Sequence, residues 1–349
     1  MIASLAAAPL GAAGGNTEDT TTNSPLAWSQ LPALPDHEGF AAPFAGVSGG
    51  ALIVAGGANF PGKKPWEGGT KVWYDAVFVL ERNTNQWRVA GRLPRPLGYG
   101  VSVTTSNGVL CLGGSDAQRH YADAFLLQWQ DGQLHTKPMP PLPKPCANLS
   151  GALVGSTVYL AGGTESPSAT NSLKAFWALD LTQREPVWRE LEPWPGPARM
   201  LAVAGACEGS FFLFSGVELA GDAQGKPTRR YLSDAYRFSP DLGWKRLADL
   251  PRPAVAAPSP AITEDGQLLI VSGDDGRLAN FEPKSQHPGF PRGVLSYAVR
   301  TDLWRSLQDS PLSRATVPVV TWQGRAIIPN GEARPGVRTP EVWTLRLAH

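Results

Sequence analysis

The sequence is poor in the residues that usually signal metal binding, disulfide cross-linking or a strongly charged surface. Among 349 residues there are 3 cysteines and 5 histidines, and charged residues make up 17%. Cys111, Cys146 and Cys207 form no CxxC pair and the histidines show no paired ligand spacing, so we expect neither a disulfide framework nor a metal site. The 31 lysines and arginines balance 30 aspartates and glutamates. This balance argues against a nucleic-acid or anionic-membrane partner.

Long apolar runs are also missing beyond the N-terminus. Residues Ile2–Ala13 are small and apolar, and the following residues up to Pro25 are polar. We interpret residues 1–25 either as a disordered tail or as the remainder of a secretory signal, although the basic residues that begin such a signal are missing. A signal predicts a periplasmic or secreted protein, and a tail predicts a cytoplasmic one. No later stretch is long and apolar enough to cross a membrane.

Glycine, proline and tryptophan are abundant, with 38, 33 and 12 residues. This composition favours many short strands joined by tight turns. An apolar run that ends in a glycine pair, or in its Ser-Gly or Asn-Gly equivalent, occurs six times at spacings of 49 to 58 residues. The six pairs are Gly56-Gly57, Gly113-Gly114, Gly162-Gly163, Ser215-Gly216, Ser272-Gly273 and Asn330-Gly331.

Each glycine pair is followed by a variable loop and a strand-like segment that contains an aromatic residue. In four repeats a further segment contains a tryptophan, namely Trp87, Trp188, Trp244 and Trp304. This order resembles the kelch motif, in which one repeat forms a four-stranded propeller blade. Residues 26–349 are therefore predicted to form an all-β, six-bladed kelch-type β-propeller. The last repeat lacks its fourth strand, so we expect the N-terminal strand at Leu26–Pro32 to complete that blade and close the ring.

The repeat also predicts where a ligand would bind. In such blades the loop between the second and third strands opens at the same end as the link to the next blade. This places five polar residues around one mouth: Tyr99, Arg199, Arg314, Glu332 and Arg338. A polar pocket at the mouth of a β ring is a common ligand site. The acidic run Ser272–Gly276 is interpreted as a β-turn, in preference to a calcium-binding or catalytic role.

The segment Asn330–Thr339 (NGEARPGVRT) resembles the NGEAKPGLRT segment of the N-acetylneuraminate epimerases, or sialic acid mutarotases. Two further segments, Ala45–Gly62 and Tyr99–Gly114, are similar to segments of the same family. In bacterial members the Glu-containing segment precedes the other two, whereas here it comes last. The chain therefore resembles a cyclically permuted branch of the family, which a closed ring tolerates.

The resemblance implies a mutarotase that interconverts the anomers of N-acetylneuraminate or a closely related sugar acid. Its catalytic residues would be Glu332 and Arg338, with Arg334 replacing the family's lysine. The predicted substrate-binding residues are Asn59, Tyr99, Arg199, Arg314 and Asn330. Mutarotation needs a base for the anomeric hydroxyl and an acid for the ring oxygen, which a carboxylate with water or a tyrosine supplies without a cofactor or metal.

An alternative is a non-catalytic kelch module that binds a carbohydrate or a protein at the same mouth. Glu332 distinguishes the two hypotheses, because a module that binds an anionic sugar gains nothing from a carboxylate next to the ligand's own. A sialoside lyase or hydrolase is disfavoured because the acid and nucleophile pair that it needs is missing. The sequence leaves the oligomeric state open.

Overall fold

The strands of the protein form six antiparallel four-stranded sheets arranged in a ring, as seen in a computed structural model that describes residues 26–222 and 224–347. This architecture confirms the prediction of a six-bladed β-propeller. The tail or signal interpretation concerns residues 1–25, which lie outside the described residues.

The strands occur in chain order, with β1 (Leu26–Leu31) before the first complete blade. Blade 1 contains β2 (Phe44–Ser48), β3 (Ala51–Ala55), β6 (Ala76–Leu80) and β7 (Arg88–Arg92), with the inserted strands β4 (Ala58–Asn59) and β5 (Val72–Trp73). Blade 2 contains β8 (Val101–Thr105), β9 (Gly108–Leu112), β10 (Ala124–Gln130) and β11 (Gln133–Pro138). Blade 3 contains β12 (Ser150–Val154), β13 (Thr157–Ala161), β14 (Phe176–Asp180) and β15 (Trp188–Glu190).

Blade 4 contains β16 (Val203–Cys207), β17 (Ser210–Phe214), β20 (Ala235–Ser239) and β21 (Gly243–Leu247), with the inserted hairpin β18 (Val217–Gly221) and β19 (Pro227–Tyr231). Blade 5 contains β22 (Ile262–Glu264), β23 (Gln267–Val271), β24 (Gly293–Ala298) and β25 (Leu303–Asp309). Blade 6 contains β26 (Val320–Trp322), β27 (Arg325–Pro329) and β30 (Val342–Leu347), with the inserted strands β28 (Glu332–Arg334) and β29 (Val337–Arg338). Two short 3-10 helices lie in the insertions of blades 1 and 5, at Pro65–Glu67 and Lys284–Gln286.

The N-terminal strand closes the ring as predicted. Strand β1 pairs antiparallel with β30 in a register that joins Leu26 to Leu347 and Leu31 to Val342. Within this register the Ser29 and Thr344 hydroxyls lie 2.7 Å apart. Trp28 packs against the apolar cluster between blades 5 and 6, so β1 supplies the tryptophan that the last repeat lacks. The pairing completes the last blade as a four-stranded sheet and joins the two ends of the described chain.

The hydrophobic core is divided among the six contacts between neighbouring blades, each of which contains one apolar cluster. The four tryptophans of the repeat, Trp87, Trp188, Trp244 and Trp304, pack against the apolar clusters between blades. Each also donates its indole N–H to a backbone carbonyl just after the preceding blade, at 2.7–3.0 Å. The tryptophans therefore join neighbouring blades through packing and through a hydrogen bond.

The glycine pairs turn the chain at the end of each second strand and so determine where the mouth loops begin. At Gly57, φ is 91°. A β-carbon there would lie 2.8 Å from the Phe40 β-carbon and 2.9 Å from the Ala41 carbonyl oxygen, so a larger residue would strike the segment leading into blade 1. Gly331 adopts the same conformation directly before Glu332, with φ at 100°. The turn at Gly331 thus places Glu332 at the mouth.

Candidate active site

Six residues, one from the segment leading into each blade, surround the central opening of the propeller. They are Ala42, Tyr99, Asn148, Leu201, Ala256 and Thr316, and we call them the rim. All six have a left-handed backbone with φ between 50° and 63°, which is unfavourable for residues other than glycine. Each rim N–H donates to the carbonyl of the preceding rim residue, and Ala42 donates to Thr316, at 2.6–3.0 Å. The closed circuit of hydrogen bonds compensates for the backbone strain and makes the opening rigid.

The rim lines a central cavity, together with residues of the innermost strands. The residue after each glycine pair lies beside the rim, because it forms a β-bridge with the residue that precedes a rim residue. These six positions are Ala58, Ser115, Thr164, Val217, Asp274 and Glu332. Glu332 and Asp274 are the two acids among them, and they come from the neighbouring blades 6 and 5. The mouth therefore has an acidic sector.

Glu332 and Arg338, the predicted catalytic residues, lie together on the β28–β29 hairpin. Glu332 Oε1 accepts hydrogen bonds from Arg338 Nη1 at 2.8 Å and from the Gly336 backbone N–H at 2.7 Å. Among the described residues, the one polar contact of Glu332 Oε2 is a long one of 3.5 Å with the hydroxyl of the rim residue Thr316. One carboxylate oxygen is thus fixed by the hairpin, and the other is available to exchange a proton at the rim.

The Arg338 side chain is 3% exposed. Its guanidinium carbon lies 4.8 Å from the centre of the Phe60 ring, which belongs to the insertion of blade 1. Its Nε has no hydrogen-bond partner among the described residues. Packing on Phe60 and bonding to Glu332 leave the Arg338 side chain little freedom, so Arg338 holds the Glu332 carboxylate in one orientation.

Tyr99 is a rim residue, and its hydroxyl lies 3.2 Å from the Lys71 ammonium nitrogen. The Lys71 ammonium lies 4.9 Å from the centre of the Tyr99 ring and 5.3 Å from that of Trp73. Lys71 donates to the Tyr99 oxygen, so the phenol proton of Tyr99 is directed elsewhere. The sequence interpretation missed Lys71, because it belongs to the insertion of blade 1 whereas its partner Tyr99 precedes blade 2.

Arg199 and Arg314 lie behind the mouth and are bonded to acids of their own blades. The Arg199 side chain is fully buried and donates from Nη1 and Nη2 to both carboxylate oxygens of Asp234, at 2.9 and 2.8 Å. Arg314, whose side chain is 3% exposed, donates to Glu341 Oε2 at 2.6 Å. In both of these blades the acid, Asp234 or Glu341, directly precedes the third strand of the sheet. This repeated ion pair is part of the scaffold, and it argues against the predicted substrate contacts of Arg199 and Arg314.

The structure also argues against the predicted substrate contact of Asn59, which is 1% exposed. Its side-chain N–H donates to the Gly39 carbonyl at 3.0 Å, and its oxygen accepts from the Tyr74 hydroxyl at 2.9 Å. Asn330 is fully buried, and both polar atoms of its amide lack a partner among the described residues. Its φ of 67° is one that asparagine tolerates, so it fits the turn that presents Glu332.

Asp274 is the second acid at the mouth, and it was not among the five polar residues that the sequence predicted there. Its Oδ1 accepts from the Gly276 N–H at 2.9 Å, and its Oδ2 accepts from the Tyr231 hydroxyl at 2.8 Å. Burial and the Asp274 carboxylate raise the pKa of Tyr231 well above its usual value, so the phenol stays protonated. The repeat offset that Asp274 shares with Glu332 is a signal that aligning the glycine pairs would have revealed.

Within residues 26–222 and 224–347, no group of three or more histidine, cysteine, aspartate or glutamate side chains is arranged to hold a metal ion. In the same part of the chain, no helix has the length and apolar character to span a membrane.

Comparison with known proteins connects this chain to one family. The family model described as "N-acetylneuraminate epimerase" matches residues 11–136 and 139–280. A protein of Yersinia enterocolitica named N-acetylneuraminate epimerase is 39% identical over 133 residues, which cover 33% of each chain. A protein of Haemophilus influenzae (strain PittEE) with the same name is 29% identical over 226 residues, covering 58% of this chain and 57% of the relative. The matches thus span between a third and three fifths of the length of these relatives.

A solved structure entitled "Structure of YjhT" has a similar fold. It superposes with a TM-score of 0.65 at 13% sequence identity, covering 91% of this chain and 100% of that one. The segments matched by the family model end before the Asn330–Thr339 loop. The cyclic permutation and the roles of Glu332 and Arg338 therefore remain predictions from the NGEARPGVRT segment.

Proposed function

The chain belongs to the N-acetylneuraminate epimerase family, and from this premise we propose that it is a mutarotase for N-acetylneuraminate or a closely related sugar acid. In mutarotation the bond between the anomeric carbon and the ring oxygen breaks. The open-chain ketone then closes again with the hydroxyl attacking its other face. The reaction needs one proton removed from the anomeric hydroxyl and one delivered to the ring oxygen, so it requires no cofactor.

Glu332 is the proposed general base and acid. Its Oε2 takes the proton of the anomeric hydroxyl as the ring opens and returns a proton as the ring closes. Acid–base assistance of this kind contributes about 10²–10⁴-fold to a rate. The observation that carries the proposal is the orientation of Glu332, whose Oε1 is bonded to Arg338 and Gly336 while its Oε2 faces the rim residue Thr316.

Arg338 and Tyr99 complete the proposed site. Arg338 positions the Glu332 carboxylate and presents its remaining N–H groups towards the sugar acid. The Tyr99 hydroxyl receives a hydrogen bond from Lys71 at 3.2 Å, so its own proton is available for the ring oxygen. Tyr99 and Thr316 flank Ala42 in the rim, and this neighbourhood supports Tyr99 as the acid that acts opposite Glu332.

The proposal is tested by following anomer conversion directly. The α-anomer of N-acetylneuraminate, freshly released from a glycoside, is monitored by proton NMR with and without the protein. We expect the α-to-β conversion to accelerate in proportion to protein concentration. If the rate is unchanged but the protein still binds the sugar, the non-catalytic kelch carbohydrate-binding module is favoured. If neither anomer conversion nor sugar binding is detected, the protein-binding alternative is left.

The proposed partner is a small sugar acid. The apolar residues Ile2–Ala13 support export to the periplasm or beyond, as opposed to a cytoplasmic location. Cell fractionation combined with N-terminal sequencing of the mature protein tests this. A chain that begins after residue 13 and is found outside the cytoplasm is the expected result, and an intact N-terminus in the cytoplasm would contradict it.

A further inference from the structure

Lys71 is a cation at the mouth that is surrounded by aromatic rings. Its ammonium nitrogen lies 4.9 Å from the centre of the Tyr99 ring, 5.3 Å from that of Trp73 and 5.8 Å from that of Phe60. Its one hydrogen bond among the described residues goes to the Tyr99 hydroxyl at 3.2 Å. Aromatic faces attract a cation without neutralising it. Two of the three ammonium N–H groups therefore remain available to a ligand.

Lys71 differs in this respect from the other cations predicted for the mouth. Arg199, Arg314 and Arg338 are each bonded to a carboxylate. Within the part of the chain that the structure describes, Lys71 has no carboxylate within 4.0 Å, so its charge has no internal counterpart. A half-buried ammonium without an acid partner is suited to an anionic ligand.

The position of Lys71 relates it to the proposed catalytic pair. Lys71 and Arg338 both pack on the Phe60 ring, so they belong to one cluster. Lys71 contacts the rim at Tyr99, and Glu332 contacts it at Thr316. These two rim residues are both hydrogen-bonded to Ala42, whose methyl group leaves space between them.

We infer that Lys71 binds the carboxylate of the sugar acid and makes the site select acids over neutral keto sugars. This inference rests on the proposed function. The carboxylate is attached to the anomeric carbon, so an ion pair with Lys71 brings the anomeric hydroxyl between Tyr99 and Glu332. Arg338 is less suited to be the main carboxylate ligand, because its Nη1 is already bonded to Glu332 at 2.8 Å.

The test compares Lys71→Gln with Lys63→Gln, an exposed lysine of the same insertion whose replacement changes the net charge equally. Each variant is assayed with N-acetylneuraminate and with its methyl ester, which is neutral but still undergoes mutarotation. We expect Lys71→Gln to raise KM for the acid by ~10–100-fold, the usual loss for a charge-assisted hydrogen bond. The KM for the ester should change by less than about threefold, because the removed interaction is specific to the carboxylate. Lys63→Gln should match the wild type with both substrates.

An equal rise in KM for the acid and the ester in Lys71→Gln would overturn the inference, as would identical KM values for the two variants. A binding assay separates this outcome from failure of the proposed function. The methyl α-glycoside of N-acetylneuraminate keeps the carboxylate but has a fixed anomeric centre, and saturation-transfer NMR reports its binding. If the wild type binds this glycoside, Lys71→Gln does not, and no anomer exchange is detected, the inference about Lys71 stands while the proposed catalysis fails.

Discussion

Replacing Asp234 by asparagine tests whether the Arg199 ion pair is scaffold or ligand site. The substitution leaves Arg199, whose side chain is fully buried, with a neutral partner in place of a carboxylate that accepts two hydrogen bonds. Asp75 is the matched control. It occupies the same position before the third strand of blade 1, but its partner Arg92 is 76% exposed.

The burial of the two pairs determines the expected difference in stability. Breaking a buried ion pair typically costs about 3–5 kcal/mol, because a charge is left without compensation. An exposed pair contributes roughly 0.2–1 kcal/mol. With an unfolding entropy of about 2.1 cal/mol/K per residue over 349 residues, Asp234→Asn should lower Tm by roughly 4–7 °C. Asp75→Asn should lower Tm by less than about 2 °C by the same relation.

The assay is thermal unfolding followed by near-UV circular dichroism, repeated at several pH values. Burial tends to raise the pKa of the Asp234 carboxyl, but the Arg199 guanidinium and the Tyr236 hydroxyl outweigh it and lower that pKa below its usual range. A lowered folded-state pKa stabilises the protein above the unfolded value of about 3.9, and this stabilisation is lost as the pH falls through the folded value. The Tm difference between wild type and Asp234→Asn should therefore shrink below about pH 4.

Two results would refute this reasoning. One is an equal Tm for Asp234→Asn and Asp75→Asn. The other is a large rise in KM for the sugar acid without a change in Tm, since it would mean that Arg199 contacts the substrate. We expect instead that the properly folded Asp234→Asn variant keeps the wild-type KM.

Two further predictions concern the closing strand and the site. Ser29→Cys combined with Thr344→Cys should form a disulfide under mild oxidation, because the Ser29 and Thr344 hydroxyls lie 2.7 Å apart. Ser29→Cys combined with Trp343→Cys should not, since the side chain of Trp343 points to the other face of the sheet. Mass spectrometry under non-reducing conditions distinguishes the two, and the reverse outcome would contradict the register. Arg338→Lys should lower kcat by about 10–100-fold, because an ammonium keeps the charge but loses the planar geometry that orients Glu332; steady-state kinetics checks this, and a wild-type kcat would contradict the positioning role.

The fold could be predicted from the sequence because the repeat imposes it locally. The chain must turn with a positive φ at the end of each second strand, and the glycine pairs mark those turns. The closing strand could be predicted because the last repeat lacked one strand and a tryptophan, and Trp28 lies in the N-terminal segment that remained. The turns depend on adjacent residues alone, and the pairing of the two chain ends follows from the closure of the ring.

The role of each cation at the mouth depended instead on contacts between distant residues. Arg199 and Arg314 occupy the same repeat position, and their acid partners lie 35 and 27 residues further along the chain. Lys71 meets Tyr99 at a distance of 28 residues, across a blade boundary. Sequence spacing alone does not show which cations are paired internally. The sequence therefore identified the mouth and the Glu332–Arg338 pair, but not which other cation is available to a ligand.

The proposed function depends above all on proton exchange between Glu332 and the anomeric hydroxyl of a sugar acid. Magnetisation exchange between the α and β anomers of N-acetylneuraminate at equilibrium measures this directly, for the wild type and for Glu332→Gln. The amide keeps an oxygen that accepts from Arg338 and Gly336, so the variant should remain folded and bind the sugar. We expect exchange to fall by about 10²–10⁴-fold in the variant. Wild-type exchange by a folded Glu332→Gln protein would contradict the account.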